Sequence, residues 1–110
     1  MNILNRKSII IDNIPVTLNE RLEKERAEDL KNGAKTKYEA RVFNKIVREL
    51  LEEGEPNSTM WADTWADPHY ETVRALNPEG AIEQIYEKFP KQGGFVITDL
   101  VELEDKRWER

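Results

Sequence analysis

Cysteine is absent from this sequence. That excludes disulfides, thiolate metal sites and cysteine nucleophiles. Long apolar runs are also missing. None approaches the roughly 20 residues needed to span a bilayer. Ile9, Ile10 and Ile11 stop at Asp12, too short a run for the apolar region of a secretory signal. A cytoplasmic protein without membrane association is the expectation. Histidine occurs once, as His69. The Gly93-Gly94 pair lacks the spacing and the Lys-Ser/Thr of a phosphate-binding loop. Neither Ser8 nor Ser58 sits in a G-x-S-x-G elbow. Catalysis therefore has few candidates, and the sequence reads as non-enzymatic with no cofactor.

What is present is charge and periodic apolar residues. Charged side chains make up 35% of the chain, and the net charge is −5. Residues 1–53 balance at +1, whereas residues 54–110 carry −6. A net acidic surface disfavours direct nucleic-acid binding, which relies on Lys and Arg against phosphates. It suits a basic partner. The 110 residues fit one domain, with 1–16 an N-terminal extended segment and 104–110 a polar C-terminal tail.

The N-terminal isoleucines predict a strand. Asp12-Asn13 is turn chemistry, and Pro15 predicts that the strand after it lies at a sheet edge. Thr17 and Glu20 form a capping box for a helix that Gly33 ends. Its apolar stripe is thin: Leu18, Leu22, Ala27 and Leu30. Thr36 and Glu39 repeat the box ahead of a second helix, 36–53, with Val42, Phe43, Ile46, Val47, Leu50 and Leu51 on one face. The two predict a helical hairpin, although Tyr38, Val42 and Phe43 are also good strand formers.

Residues 60–73 read MWADTWADPHYETV. Alternation predicts a β-hairpin between 59–65 and 69–76. A helix from Pro68, capped by Asp67, is the rival reading. Asn77 and Pro78 open a helix to Phe89, and 95–103 alternates as a strand. The resulting fold class is α+β: a small, mainly antiparallel sheet with a helical hairpin and one crossover helix packed on one face. The expected core joins Phe43, Val47, Leu50, Ile82, Ile85, Phe89, Ile97 and Val101.

Asp63, Asp67, His69 and Glu71 are the one cluster resembling a metal or acid–base site. Their spacing matches no established ligand motif, so no metal is expected. The same stretch suits protein binding better. Aromatic anchors ringed by acid, Trp61, Trp65 and Tyr70 beside Asp63, Asp67 and Glu71, fit a protein partner with a basic surface. Trp61 and Trp65 fit the inward face of a strand equally well. The expectation is an acidic binding module that inhibits or regulates a nucleic-acid-handling partner. Small phage and mobile-element inhibitors share this size and charge. The alternative is a nucleotide-like small-ligand sensor or sponge. It would use Arg41, Lys45 and Arg48, a basic stripe on the 36–53 helix. The thin leucine stripe and uncovered strand edges also suggest a homodimer.

Overall fold

A computed structural model of the chain describes residues 6–19 and 35–103. The elements run β1 (Arg6–Ile11), β2 (Ile14–Asn19), β3 (Thr36–Asn44), α1 (Lys45–Glu52), β4 (His69–Ala75), α2 (Pro78–Lys88) and β5 (Phe95–Leu103). One-turn 3-10 helices occupy Asp63–Ala66 and Lys91–Gly93. The five strands form one sheet in the order β1-β2-β5-β3-β4. Only the β2–β5 pair is parallel. The fold class is α+β, as the sequence predicts, and the described residues form a mostly antiparallel sheet with two helices.

β1 and β2 form a tight hairpin. Asp12 and Asn13 both adopt positive φ, 54° and 66°, as a two-residue turn between right-twisted strands requires. β2 is not an edge strand. The hairpin makes Ile11 and Ile14 a hydrogen-bonded pair, so Ile10 and Pro15 form the non-bonded pair beyond it. Proline therefore removes a donor only on the β5 side, where pairing begins one residue later at Val16. Thr17 and Leu18 continue β2, and Leu18 is buried in the core. Leu18 is thus no part of a helical stripe. The rest of the predicted first helix, with Leu22, Ala27 and Leu30, lies outside the described residues.

The predicted 36–53 helix is corrected. Its first half is β3, the strand between β5 and β4. Tyr38, Ala40 and Val42 alternate inward and are fully buried. A period of two carried by residues packed from both neighbouring strands outweighs a capping box. The helix begins only at Lys45. Asn44 leaves the strand and caps it, its Oδ1 accepting from Ile46 N at 2.9 Å and Val47 N at 3.0 Å. Asn44 is itself fully buried, and its Nδ2 donates to Gly93 O at 3.0 Å. Lys45 N donates to Gly94 O at 2.8 Å. Gly94 has φ 103°, and a Cβ there would lie 2.6 Å from Asn44 Oδ1.

The 60–76 hairpin is also corrected. β4 exists, but its partner is β3, and Asp63–Ala66 forms a helical turn. α2 matches its prediction. Asn77 Oδ1 accepts from Gly80 N at 2.7 Å, Pro78 fills the first helical position, and Ala81, Ile82 and Ile85 are buried. β4 and β5 share the sheet but do not pair, because β3 lies between them.

β5 holds a bulge. Arg41 faces Asp99 while Val42 faces Ile97, so Thr98 is the extra residue. The bulge flips the side-chain phase. Phe95 and Ile97 point inward before it, Leu100 and Glu102 after it. The expected core changes accordingly. Val47, Ile82, Ile85 and Ile97 are buried, but Phe43, Leu50, Phe89 and Val101 are only half-buried. Val47 sits outside the main cluster, whose centre includes Val16, Tyr38, Val42, Phe95 and Leu100.

Two stability results follow. Gly94→Ala should cost about 2 kcal/mol or more in urea denaturation, since a Cβ is disfavoured at that φ and meets the Asn44 cap. Phe95→Ala should cost about 3–5 kcal/mol, and Phe43→Ala only about 1–2 kcal/mol because Phe43 is already half solvated. Equal losses for the two phenylalanines would contradict this division of the core.

Candidate functional site

Residues 49–71 contain Glu49, Glu52, Glu53, Glu55, Asp63, Asp67 and Glu71, and no lysine or arginine. All but Glu71 are exposed. α1 packs against the Asp63–Ala66 turn, which brings the carboxylates of these two elements into one neighbourhood. Its C-terminal turn closes through Gly54 at φ 71°, with Gly54 N donating to Leu51 O and Glu55 N to Leu50 O. The last turn of α1 carries no base. Glu52 and Glu53 therefore stand at the negative end of the helix dipole, where carboxylates are unfavourable.

The loop that follows is tied down by one asparagine. Asn57 Nδ2 donates to Trp61 O and to Asp63 Oδ1, both at 2.7 Å. Asn57 Oδ1 accepts from Thr59 N at 3.0 Å and from Thr59 Oγ1 at 2.6 Å. Trp61 N donates back to Thr59 Oγ1 at 3.1 Å. These bonds fix the turn around Met60, whose side chain is 86% exposed. An apolar side chain held out by a hydrogen-bonded loop is preorganised for contact, with little ordering left to cost on binding.

Trp61 and Trp65 lie beneath this loop as half-buried supports. Trp61 meets Phe95 edge-on, with centroids 4.7 Å apart, and Trp65 does the same at 5.2 Å. Trp65 also packs on Phe89 at 4.9 Å and stacks on His69 at 4.0 Å. The two tryptophans thus extend the core as an aromatic cluster. His69 belongs to the same support. Its Nε2 donates to Thr64 O at 2.9 Å, since a carbonyl can only accept.

The predicted binding residues therefore separate. Asp63, Asp67 and Tyr70 are exposed, Tyr70 by 64%. Glu71 is partly buried opposite Ala40, on the inward side of β4. Met60 is the exposed apolar group that sequence reading missed. Its signal was faint: one hydrophobe between Asn57-Ser58-Thr59 and Trp61. Among the described residues, no group of three or more His, Cys, Asp or Glu side chains is placed to hold a metal ion.

The basic stripe does not form on a single helix. Arg41 lies on β3, and Lys45 and Arg48 on α1. Arg48 is engaged, its Nε donating to Ala66 O at 2.8 Å and its guanidinium lying 3.8 Å from the Phe43 ring centre. Lys45 lines a cleft of about 220 Å³ with Asp12, Tyr86 and Lys91. Lys91 Nζ is 3.4 Å from Asp12 Oδ2. No described helix is long and apolar enough to cross a membrane.

Asn57→Ala should release the loop while leaving the sheet intact. The expected loss is about 1–3 kcal/mol in urea denaturation, with hydrogen-exchange protection falling at Thr59 and Trp61 first. Unchanged protection there would mean that tryptophan packing alone holds the loop.

No protein-family model, curated protein or solved structure matches this chain.

Proposed function

We propose that this protein is a non-enzymatic acidic module that binds a protein partner through the end of α1 and the 55–71 loop. The partner surface would be basic and partly apolar. The observation that carries this reading is the fixed loop. It holds Met60 almost fully exposed, with Trp61 next to it packed edge-on against Phe95. A flexible acidic tail would aid solubility without any such scaffold. An exposed methionine on an ordered base offers an adaptable apolar contact. Exposed Asp63 and Asp67 follow it in the chain, and with the exposed carboxylates of α1, which packs on the Asp63–Ala66 turn, they supply charge that would steer a basic surface.

The class of partner follows from complementarity. Proteins that handle nucleic acid carry basic, partly apolar surfaces, and a carboxylate-rich face competes with phosphate for them. An inhibitor or regulator of such a protein is the role that fits, acting by occlusion in the reducing interior of a cell. The displayed residues of this reading are Met60, Asp63 and Asp67 on the loop and Tyr70 on β4. Trp61 and Trp65 act as supports beneath them, and Glu71 lies inward on β4.

A second reading, a small nucleotide-like ligand, retains one observation in its favour. Lys45 and Lys91 border the same cleft, with the Tyr86 ring 5.7 Å from Lys91 Nζ. Arg48 is spent on Ala66 and Phe43, and Arg41 lies off that cleft's wall.

The test compares two variants against the partner recovered from source cells with the unaltered chain. Asp63→Lys with Asp67→Lys should slow association about tenfold at low salt and flatten its salt dependence. Adding Met60→Ala should speed dissociation by about 1–2 kcal/mol of lost affinity. Lys45→Ala with Lys91→Ala should change neither rate. Full binding by the charge-reversed variant, with loss in the lysine variant, would reverse the order of the two readings.

A further inference from the structure

β4 is an edge strand, and its hydrogen-bonding phase can be worked out. In an antiparallel ladder the N–H and C=O of one residue point to the same side. The Thr98 hydroxyl donates to Arg41 O at 3.2 Å, which turns Arg41 and the alternate residues Glu39 and Lys37 toward β5. Their partners on β4 are Tyr70, Thr72 and Arg74. These three pairs are therefore the non-bonded ones, and the main-chain groups of Tyr70, Thr72 and Arg74 face away from the sheet. An independent contact agrees: the Gln84 side-chain amide donates to Arg74 O at 2.7 Å from α2. It occupies the position that a donor on an added strand would take. Among the described residues no segment pairs with Tyr70 or Thr72 along this edge.

The wall beside the edge is acidic. α2 runs back along β4, with Gly80 beside Ala75, Gln84 on Arg74, and Phe89 against Trp65, which stacks on His69. Its exposed row of Glu79, Glu83 and Glu87 lines an open groove of about 470 Å³ that also takes in Leu76 and Lys35. Residues four apart on a helix rise about 6 Å. Residues two apart on a strand rise about 6.6 Å. Inward-pointing side chains of a strand added to β4 would thus keep nearly the same spacing as the three carboxylates. Outward-pointing ones would lie beside Tyr70 and Thr72. Edge strands are commonly blunted by lysine, proline or bulges. β4 has none of these; its charged residues are Arg74 on the outward face and the partly buried Glu71 on the inward one.

We infer that the β4 edge is a recognition surface for an extended segment of a partner in which Lys or Arg alternates with β-branched residues, taken up as a sixth strand. Main-chain bonds at Tyr70 and Thr72 give affinity, and the α2 carboxylates select the basic positions. This goes beyond the loop reading: it uses the main chain of β4 and the α2 carboxylates, shares only Tyr70 with that reading, and takes a different mode of contact.

The probe is an acetylated and amidated nonapeptide alternating lysine and valine, titrated into the isotope-labelled full chain and followed by NMR. The Tyr70 and Thr72 amides should shift and gain exchange protection. Glu83→Lys with Glu87→Lys should weaken binding at least about tenfold. Thr72→Pro should abolish it. Proline is tolerated at an edge position whose N–H faces outward, and a urea melt checks that the fold survives. A peptide N-methylated at alternate residues removes the same bonds from the other partner, so the test holds even if that variant unfolds. Equal binding by the N-methylated peptide would overturn the inference and leave a purely electrostatic patch. Absence of peptide binding would also overturn it. So would a dimer in sedimentation with Tyr70 and Thr72 already protected, which would place a second copy on the edge. The Asp63→Lys and Asp67→Lys variant should bind the peptide normally, which keeps a failure of this inference distinct from a failure of the loop reading.

Discussion

The buried contact between Asn44 and Gly93-Gly94 is the constraint on which the arrangement depends. Asn44 ends β3, starts α1 and ties both to the turn that begins β5. Its side chain satisfies two donors of the new helix and one acceptor of the turn. Leaving any of those groups unpaired in the interior would cost about 1–3 kcal/mol. Gly94 must lack a side chain for this to occur, because its φ is 103° and the Asn44 oxygen fills the space of a Cβ. The junction decides where α1 emerges. It thereby decides that α1 meets the Asp63–Ala66 turn, and so which carboxylates come together.

The β5 bulge is the second constraint. A strand that alternates from Phe95 to Leu103 without interruption would bury Asp99 and expose Leu100. One extra residue places Thr98 and Asp99 outward and Leu100 inward. The same shift puts Glu102 inward, where it is 3% exposed and accepts from Asn19 N at 2.9 Å. A buried carboxylate needs such donors. The bulge thus binds the far end of β5 to the end of β2 through a polar side-chain contact.

Much of the fold was legible in the sequence where local and tertiary preferences agree. Asp12-Asn13 specified its hairpin because few other residues accept positive φ twice in succession. Asn77-Pro78 marked α2, and the alternation at 95–103 marked β5. The failures lie where the two preferences compete. Thr36 and Glu39 offer a capping box, yet Tyr38, Ala40 and Val42 meet neighbours on both sides and become a strand. Asn44, the true cap, sits inside an apolar run and looks like a polar interruption. At 60–66 the doubled Trp-Ala-Asp mimics strand alternation. Asn57 instead folds the segment into a turn through bonds spaced two to six residues apart. Such bonds depend on side-chain geometry that no periodicity reports. For the candidate site, Asp63, Asp67 and Tyr70 are exposed. The division between displayed Met60 and supporting tryptophans needed the aromatic cluster to be seen.

The two helices also separate structural charge from charge with another use. In α2, Glu79 lies in the first turn and Lys88 in the last, so both complement the helix dipole. In α1 the pattern is reversed. The first turn holds no acid and the last holds no base, while Glu52, Glu53 and Glu55 crowd its C-terminal end. Folding gains nothing from that placement. The acids repel one another and the helix carbonyls, and solubility would be served as well by carboxylates elsewhere. What the arrangement does provide is a dense negative field on one end of a fixed scaffold, next to an exposed methionine. Local stability is given up where a basic surface would recover it on contact. This cost is the physical argument for the working surface proposed at the α1 end, with the loop above the tryptophans as its ordered centre.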